Sequence, residues 1–287
     1  MNATRTSLGP ALVTGCSSGI GRATALALAT AGWTVYATAR KPSSLGALAE
    51  AGCRTLALDV DDEESMRTAV RAIEAEHGAI GALVNNAGYS QSGAIEAVPI
   101  DRVRAQFDTN VFGPIRLCQL VLPAMRARGR GRIVNLSSMG GKLVFPGGGY
   151  YHATKYAIEA ISDALRFELR SFGIDVVLIE PGLIKSGFGD AAVAGMSFDD
   201  RGSPYHEFHA AVARATKEVY EKGPLARLGG TPEDVAQIIV RALSAKRPKP
   251  RYTVSWSATV LLAQKRMLSD RAWDWFLRQN FPSPGPL

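Results

Sequence analysis

The chain has 287 residues, 46% hydrophobic and 21% charged, with 33 Lys plus Arg against 26 Asp plus Glu for a formal net charge of +7. This is enough apolar material for a sizeable core and excludes disorder and a coiled coil; no apolar run reaches the ~18 residues that a membrane helix requires. The first nine residues are short and polar, so no secretory leader is expected. Cys16, Cys53 and Cys118 are too few and too widely spaced for a disulfide framework or a zinc site. They point to a reduced, cytoplasmic protein. The cations are scattered. Their densest groups, Arg126-Ala-Arg128-Gly-Arg130-Gly-Arg132 and Lys246-Arg247-Pro-Lys249-Pro-Arg251, read as polar connections before strands, so nucleic acid is not an expected partner.

In chain order, strands are predicted at 11–14, 34–38, 55–58, 83–85, 133–136, 176–179 and 251–254. Helices are predicted at 22–31, 63–77, 102–125, 151–172 and 232–243, the last capped by Thr231 with Pro232 at its first position. This alternation implies right-handed crossovers and an α/β fold: a single-domain, doubly wound, Rossmann-type parallel sheet spanning 1–287, with ligands at the carboxyl ends of its strands. Residues 187–230, rich in Gly, Ala and aromatics, break the pattern without a clear strand. Residues 256–287 form an amphipathic, Trp-containing C-terminal tail that extends the fold helically. Three uses of the tail stand open: packing on the domain, on another subunit or on a membrane surface.

The run Thr14-Gly15-Cys16-Ser17-Ser18-Gly19-Ile20-Gly21 follows a predicted strand and opens a helix. That is the context a phosphate-binding turn requires: glycines allow close backbone approach, and the helix start offers free N–H groups and a positive dipole end. Further along stand Asn85-Asn86-Ala87-Gly88, Ser138, Tyr151 and Lys155. Tyr151 and Lys155 are four apart on one helix and share a face. A nearby ammonium favours the phenolate, and lowering a tyrosine by ~3 pKa units takes roughly 4 kcal/mol of differential interaction. Tyr151 would then exchange a proton with a substrate oxygen that Ser138 orients. Tyr150, five residues from Lys155, and Ser137, on the opposite side of its strand, are the disfavoured neighbours.

These motifs in this order resemble the short-chain dehydrogenase/reductase family, convincingly from about residue 8 to 186 and loosely beyond. The resemblance selects Ser138 over Ser137 by its spacing to Tyr151. It implies a nicotinamide cofactor held by Gly15, Ser17, Ser18, Gly19, Ile20 and Gly21, by Asp59 and Val60 beside adenine, by Asn86, Ala87 and Gly88, by Tyr151 and Lys155, and by Pro181, Gly182, Ile184 and Ser186 near the nicotinamide. Ser186 stands where the family has Thr. The resemblance also makes Asn110 the fourth catalytic residue, holding a water that links the lysine to solvent; an exposed polar residue is the alternative. The strand-two to strand-three pattern resembles the hydroxysteroid and retinol dehydrogenase branch. A homodimer or homotetramer through the helices at 102–125 and 151–172 is expected.

Cofactor choice turns on Tyr36-Ala-Thr-Ala-Arg40-Lys41. No carboxylate stands there to hold a ribose diol, and Arg40 can pair with a 2′-phosphate. NADP(H) is therefore expected over NAD(H). Phe188, Met196, Phe198, Tyr205 and Phe208 in the covering segment, with Val144 and Phe145 opposite, suggest a bulky apolar carbonyl or alcohol substrate: steroid-, retinoid- or ketone-like. Core packing is the alternative for each. His77, His152, His206 and His209 show no metal spacing, and no metal is expected. An NADPH-binding scaffold without turnover is the competing function. A peripheral membrane role through Trp256, Trp273, Trp275 and Phe276 is a third reading.

Overall fold

Neighbouring side chains of a strand leave on opposite faces of the sheet, and here both faces are apolar. Ala11, Val13, Val35, Ala37, Ala82, Val84, Val134, Val177 and Ile179 fill one core, while Leu12, Tyr36, Leu83, Ile133 and Val176 fill the other. A sheet buried on both sides needs helices on both sides. The computed structural model, which describes residues 8–196 and 202–281, has that form. Seven strands run parallel in the order β3-β2-β1-β4-β5-β6-β7. They are β1 (Ala11–Val13), β2 (Val35–Ala39), β3 (Arg54–Ala57), β4 (Ala82–Asn85), β5 (Gly131–Leu136), β6 (Ile174–Pro181) and β7 (Arg251–Val254). The order reverses between β1 and β4, which opens a crevice at their carboxyl ends.

The helices are α1 (Gly19–Thr30), α2 (Gly46–Glu50), α3 (Glu63–His77), α4 (Ile100–Phe107), α5 (Gly113–Arg128), α6 (Gly149–Leu169), α7 (Phe188–Ala194), α8 (His206–Glu221), α9 (Gly223–Arg227), α10 (Pro232–Ser244), α11 (Trp256–Met267) and α12 (Asp270–Asn280). The alanine-rich α1 packs closely against α10 on one face, and α3 and α5 cover the other. Thr231 and Asp234 cap α10 reciprocally, which satisfies two of the helix's orphan donors.

Three sequence expectations change. The long helix at 102–125 is interrupted by a π turn, Asp108–Phe112, where Gly113 lets the chain pass so close to the Val60 carbonyl that a Cβ would lie 2.6 Å from it. Among the described residues of 187–230 there are three helices, α7 to α9. Arg132 lies inside β5, and its buried guanidinium donates to the carbonyls of Ala242, Leu243 and Ala245, closing the C-terminus of α10. It also pairs with Asp175 at 2.5 Å.

Candidate active site

The glycine-rich turn is clamped from beneath by the loop that follows β4. Thr14 Oγ1 accepts from the backbone N–H groups of Asn86 and Ala87, both at 3.0 Å, and Asn86 Nδ2 donates to the carbonyls of Thr14 and Gly15 at 2.9 and 3.2 Å. Gly15 has φ +70°, the left-handed region that favours glycine. At Gly21 a Cβ would lie 2.3 Å from the Gly15 carbonyl oxygen. Ser18 stands at the N-cap of α1, but its side chain makes no capping bond, and Ser17 and Ser18 are exposed. The first turn of α1 therefore presents its N–H groups to ligand and solvent. That open cradle fits a pyrophosphate.

The other cofactor candidates ring this turn. Pro181 ends β6, and the chain then turns back so that Ser186 Cβ lies 3.7 Å from a Cβ built on Gly19. Ile184 is buried and bridges to Gly230. Gly182 is packed so tightly that a Cβ would lie 2.5 Å from Ser255 Oγ. Arg40 follows β2 directly and is exposed, and its charge reaches Asp61. Val60 is buried under α5, and Asp59 is half-buried beside it.

Ser138, Tyr151 and Lys155 come together where β5 meets α6. Ser138 caps a single turn, Met139–Gly141, by accepting from Gly140 N at 3.0 Å, and it is hydrogen-bonded to the Tyr151 hydroxyl. Lys155 Nζ lies 5.7 Å from the centre of the Tyr151 ring and donates to the Leu136 carbonyl at 2.7 Å. Ser137 is turned away: it is buried against Gly141, and its Oγ stands 3.4 Å from the Ser138 carbonyl. Tyr150 is spent elsewhere, donating to the Ile95 carbonyl.

The phenol of Tyr151 moves opposite to the expected lowering by Lys155, which is not among the groups that shift it. Burial raises the phenol above its ordinary value, the Ser138 hydrogen bond opposes this, and Tyr220 of α8 adds to the rise. Burial also lowers Lys155 to about 8, against a weaker raising effect from Glu159. Desolvation disfavours whichever form is charged, so it moves the two groups in opposite directions. Tyr151 is a neutral phenol at neutral pH.

Asn110 sits in the π turn and is buried, which rules out the exposed reading. Its Nδ2 donates to the Tyr89 carbonyl at 2.8 Å and to Thr154 Oγ1 at 3.1 Å, and its Oδ1 accepts from Tyr89 N at 3.0 Å. It thus joins the loop after β4 to α6. π turns of this kind recur at functional sites.

Of the substrate-side candidates, the Phe188 ring is 5.3 Å from the Tyr151 ring, centre to centre, and Val144 is exposed. Phe145 instead packs against Trp273, Phe281 and His152. Met196 and Phe208 form a small core with Ala94 and Val212, and Tyr205 donates to Glu96; Phe198 lies outside the described residues. The proposed interfacial face of the tail divides. Trp273 is buried and Phe276 packs on it, whereas Trp256 and Trp275 are 70% and 64% exposed.

Two residues near the site have no site role in the sequence reading, His152 and Tyr220. His152 is buried, with Nδ1 3.1 Å from the Gly140 carbonyl and Nε2 accepting from Phe145 N at 3.3 Å, and burial lowers it to about 4. It is a neutral tether for the turn that carries Ser138. Tyr220 carries no local sequence signal, since only the folding of α8 brings it near Tyr151. Among the described residues no cluster of His, Cys, Asp or Glu could hold a metal, the three cysteines are free and buried, and no helix is long and apolar enough to cross a membrane.

The model for short chain dehydrogenase matches residues 10–196. A 3-ketodihydrosphingosine reductase of Bacteroides thetaiotaomicron is 36% identical over 93% of this chain and 96% of its own. The chain belongs to the short-chain dehydrogenase/reductase family. Another member, an NADPH-dependent 3-dehydrocapnine reductase of Ornithobacterium rhinotracheale, is 35% identical over 92% of this chain and 94% of its own. The crystal structure of a short-chain dehydrogenase from Streptomyces avermitilis superposes with a TM-score of 0.79 at 35% identity, covering 96% of both chains. A Burkholderia phymatum short-chain dehydrogenase/reductase solved with NAD superposes at 0.76 with 25% identity, over 97% of this chain and 98% of its own. The chain is thus an oxidoreductase of this family with a nicotinamide-binding fold.

Proposed function

We propose that this oxidoreductase reduces the carbonyl of a bulky apolar ketone, with NADPH preferred over NADH. The observation that carries the reading is the Tyr151 hydroxyl, neutral, hydrogen-bonded to Ser138 and lying beneath Phe188. A neutral phenol is a proton donor, the form that ketone reduction requires. NADPH, when bound, supplies the hydride. Ser138 and Tyr151 hold the ketone oxygen between two O–H groups, Tyr151 delivers the proton to it, and Lys155 one turn away favours the phenolate that remains. Asn110 fixes the loop and helix around them. The turn Gly15–Gly21, Asp59, Val60, Asn86–Gly88 and Pro181–Ser186 would hold the cofactor, with Arg40 at the 2′-phosphate.

The apolar substrate reading is supported by Phe188 and Val144 at the open side and by relatives named for reducing 3-ketodihydrosphingosine and 3-dehydrocapnine. The latter's NADPH dependence and the lack of a carboxylate in β2 or beside Arg40 in the sequence support the cofactor reading. Residues 187–230 serve as the substrate cover of a single catalytic domain. The chain works in the cytoplasm as a homo-oligomer, for which the exposed Phe112 and Phe167 beside α5 and on α6 offer apolar contacts.

The test is NADPH and NADH oxidation over a panel of ketones, 3-ketodihydrosphingosine, steroids and retinoids included, with Tyr151→Phe beside the wild type. Turnover should prefer NADPH and fall about 10²- to 10⁴-fold in the variant, with NADPH binding by fluorescence kept. Undiminished turnover in the variant overturns the reading.

A further inference from the structure

Beside the catalytic candidates lies a group of charges from four elements, with Glu159 and Glu180 buried at its centre. Glu159 is one turn beyond Lys155 on the same face of α6, and both are buried, at 4% and 7% exposure. Glu159 Oε2 pairs with Lys142 Nζ at 2.9 Å and with Arg251 Nε at 3.0 Å. Its Oε1 is buried with no hydrogen-bond partner among the described residues. The Glu159 Cγ also lies 2.9 Å from a Cβ built on Gly141, in the turn that carries Ser138, and the Lys155 carbonyl lies 3.1 Å from the same point.

The remaining charges are disposed around Arg251. Its Nε lies 3.3 Å from Glu180 Oε1, and its Nη2 donates to both oxygens of Asp163 at 2.7 and 2.6 Å. Arg166 pairs with Asp163 from the next turn of α6, and Glu180 Oε2 accepts from Thr253. Glu180 is itself raised, first by burial and then by repulsion from Glu159. Arg251 and Lys142 therefore hold Glu159 from the side of the sheet and of the Ser138 turn, and Lys155 is the cation toward the site.

A buried ammonium needs a counter-charge to stay protonated. The Leu136 carbonyl accepts a hydrogen bond from Lys155 but carries no net charge. We propose that Glu159 is a positioning residue that keeps the Lys155 ammonium charged and seated behind Tyr151, with Arg251 of β7 and Lys142 holding Glu159 in turn. The inference rests on the proposed function only in assigning Lys155 to the service of Tyr151. It gives β7, remote in sequence from every motif, a part in the site through Glu159.

Glu159→Gln is expected to stay folded, because Arg251 keeps both Asp163 bonds and Lys142 is partly exposed to solvent. The titration of Lys155 is read by NMR in protein carrying 13Cε-labelled lysine, with its signal assigned by loss in Lys155→Met. In Glu159→Gln its midpoint should fall by about one unit or more, and the alkaline limb of kcat for ketone reduction should fall with it while the ketone KM stays within about twofold. Glu159→Asp should recover most of the shift. A Lys155 titration unchanged in Glu159→Gln overturns the proposal and leaves Glu159 a brace of the fold. If Glu159→Gln does not fold, the charge-balanced double variant Glu159→Gln, Lys142→Gln decides: a lowered Lys155 midpoint supports the proposal, and one equal to wild type overturns it. A shifted titration together with full turnover in Lys155→Met would uphold the Glu159–Lys155 coupling and overturn the functional reading instead.

Discussion

Residues 8–186 and residues 187–281 solve different problems with different means. The first region fixes its turns through backbone contact. Asn86 and Thr14 stitch the glycine turn to the loop after β4, and positions such as Gly21 tolerate no Cβ at all. The second lays α7, α8, α11 and α12 over the open end of the sheet and joins them through two small side-chain cores, one around Met139, Leu261 and Trp273 and one around Met196, Phe208 and Val212. Backbone clamps hold atoms to tenths of an ångström, as hydride and proton transfer demand. Side-chain cores accept other apolar residues of similar total volume at modest cost. In the proposed function the chemistry belongs to the first region and the choice of substrate to the second.

The strongest way to break that division is Trp273→Ala. The ring packs on Phe276 and Phe145 and is buried, and removing a buried tryptophan costs about 3–5 kcal/mol. Thermal stability should drop and the ketone KM rise, while NADPH affinity by fluorescence titration stays within about twofold of wild type. An equal loss of NADPH affinity would mean that the tail braces the cofactor cradle as well, and the two regions could not be treated apart.

His152 sharpens the same comparison from the other side, because it ties the Ser138 turn to α6 through backbone groups. Its ordinary value of 6.5 falls to about 4 in the folded chain. Between these values the unfolded chain binds the proton and the folded chain does not, so stability rises with pH across that window. The tether is therefore fully present above about pH 6.5 and is lost as pH falls toward 4, a change of about 3 kcal/mol. Denaturant unfolding of wild type and His152→Asn from pH 4 to 7 should converge at the acid end. Parallel curves would show that the imidazole is not the group that titrates.

How much of this was legible follows the same line. The strands could be read because both sheet faces demand apolar side chains over short runs, and Ser138, Tyr151 and Lys155 because their spacing is local to one strand and one helix. The π turn at Asp108–Phe112 left no trace, since an Asn inside a helical stretch is equally a surface residue until Tyr89 and Thr154 fold against it. The helices α7 to α9 were hidden by Gly and aromatic content, which local propensity does not favour and only packing over the sheet end stabilises. Phe145 was placed on the substrate side because nothing in the sequence says that Trp273 will cover it. Glu159 was silent for the same reason: Lys142 and Arg251 are 17 and 92 residues away along the chain.

The smallest expected effect concerns Arg40, at the rim of the first region. It is exposed beyond β2, in a position where an acidic residue would hold a ribose diol. A charge-assisted hydrogen bond contributes about 1.5–3 kcal/mol when sheltered, and exposure to water brings this toward the lower end, so Arg40→Ala should reduce the ratio of NADPH to NADH affinity by about tenfold. The loss should fall on NADPH alone and shrink as salt is raised, because screening weakens an exposed ion pair. The ketone KM should not move, since the proposed function puts Arg40 at the adenosine end of the crevice and the cover at the other. If the ratio is unchanged, the second strand does not read the 2′-phosphate, and cofactor choice must come from Lys41 or from the backbone of the glycine turn. If the ratio falls and the ketone KM rises with it, the two ends of the crevice are coupled, and the separation of chemistry from substrate choice fails at the point where it should be cleanest.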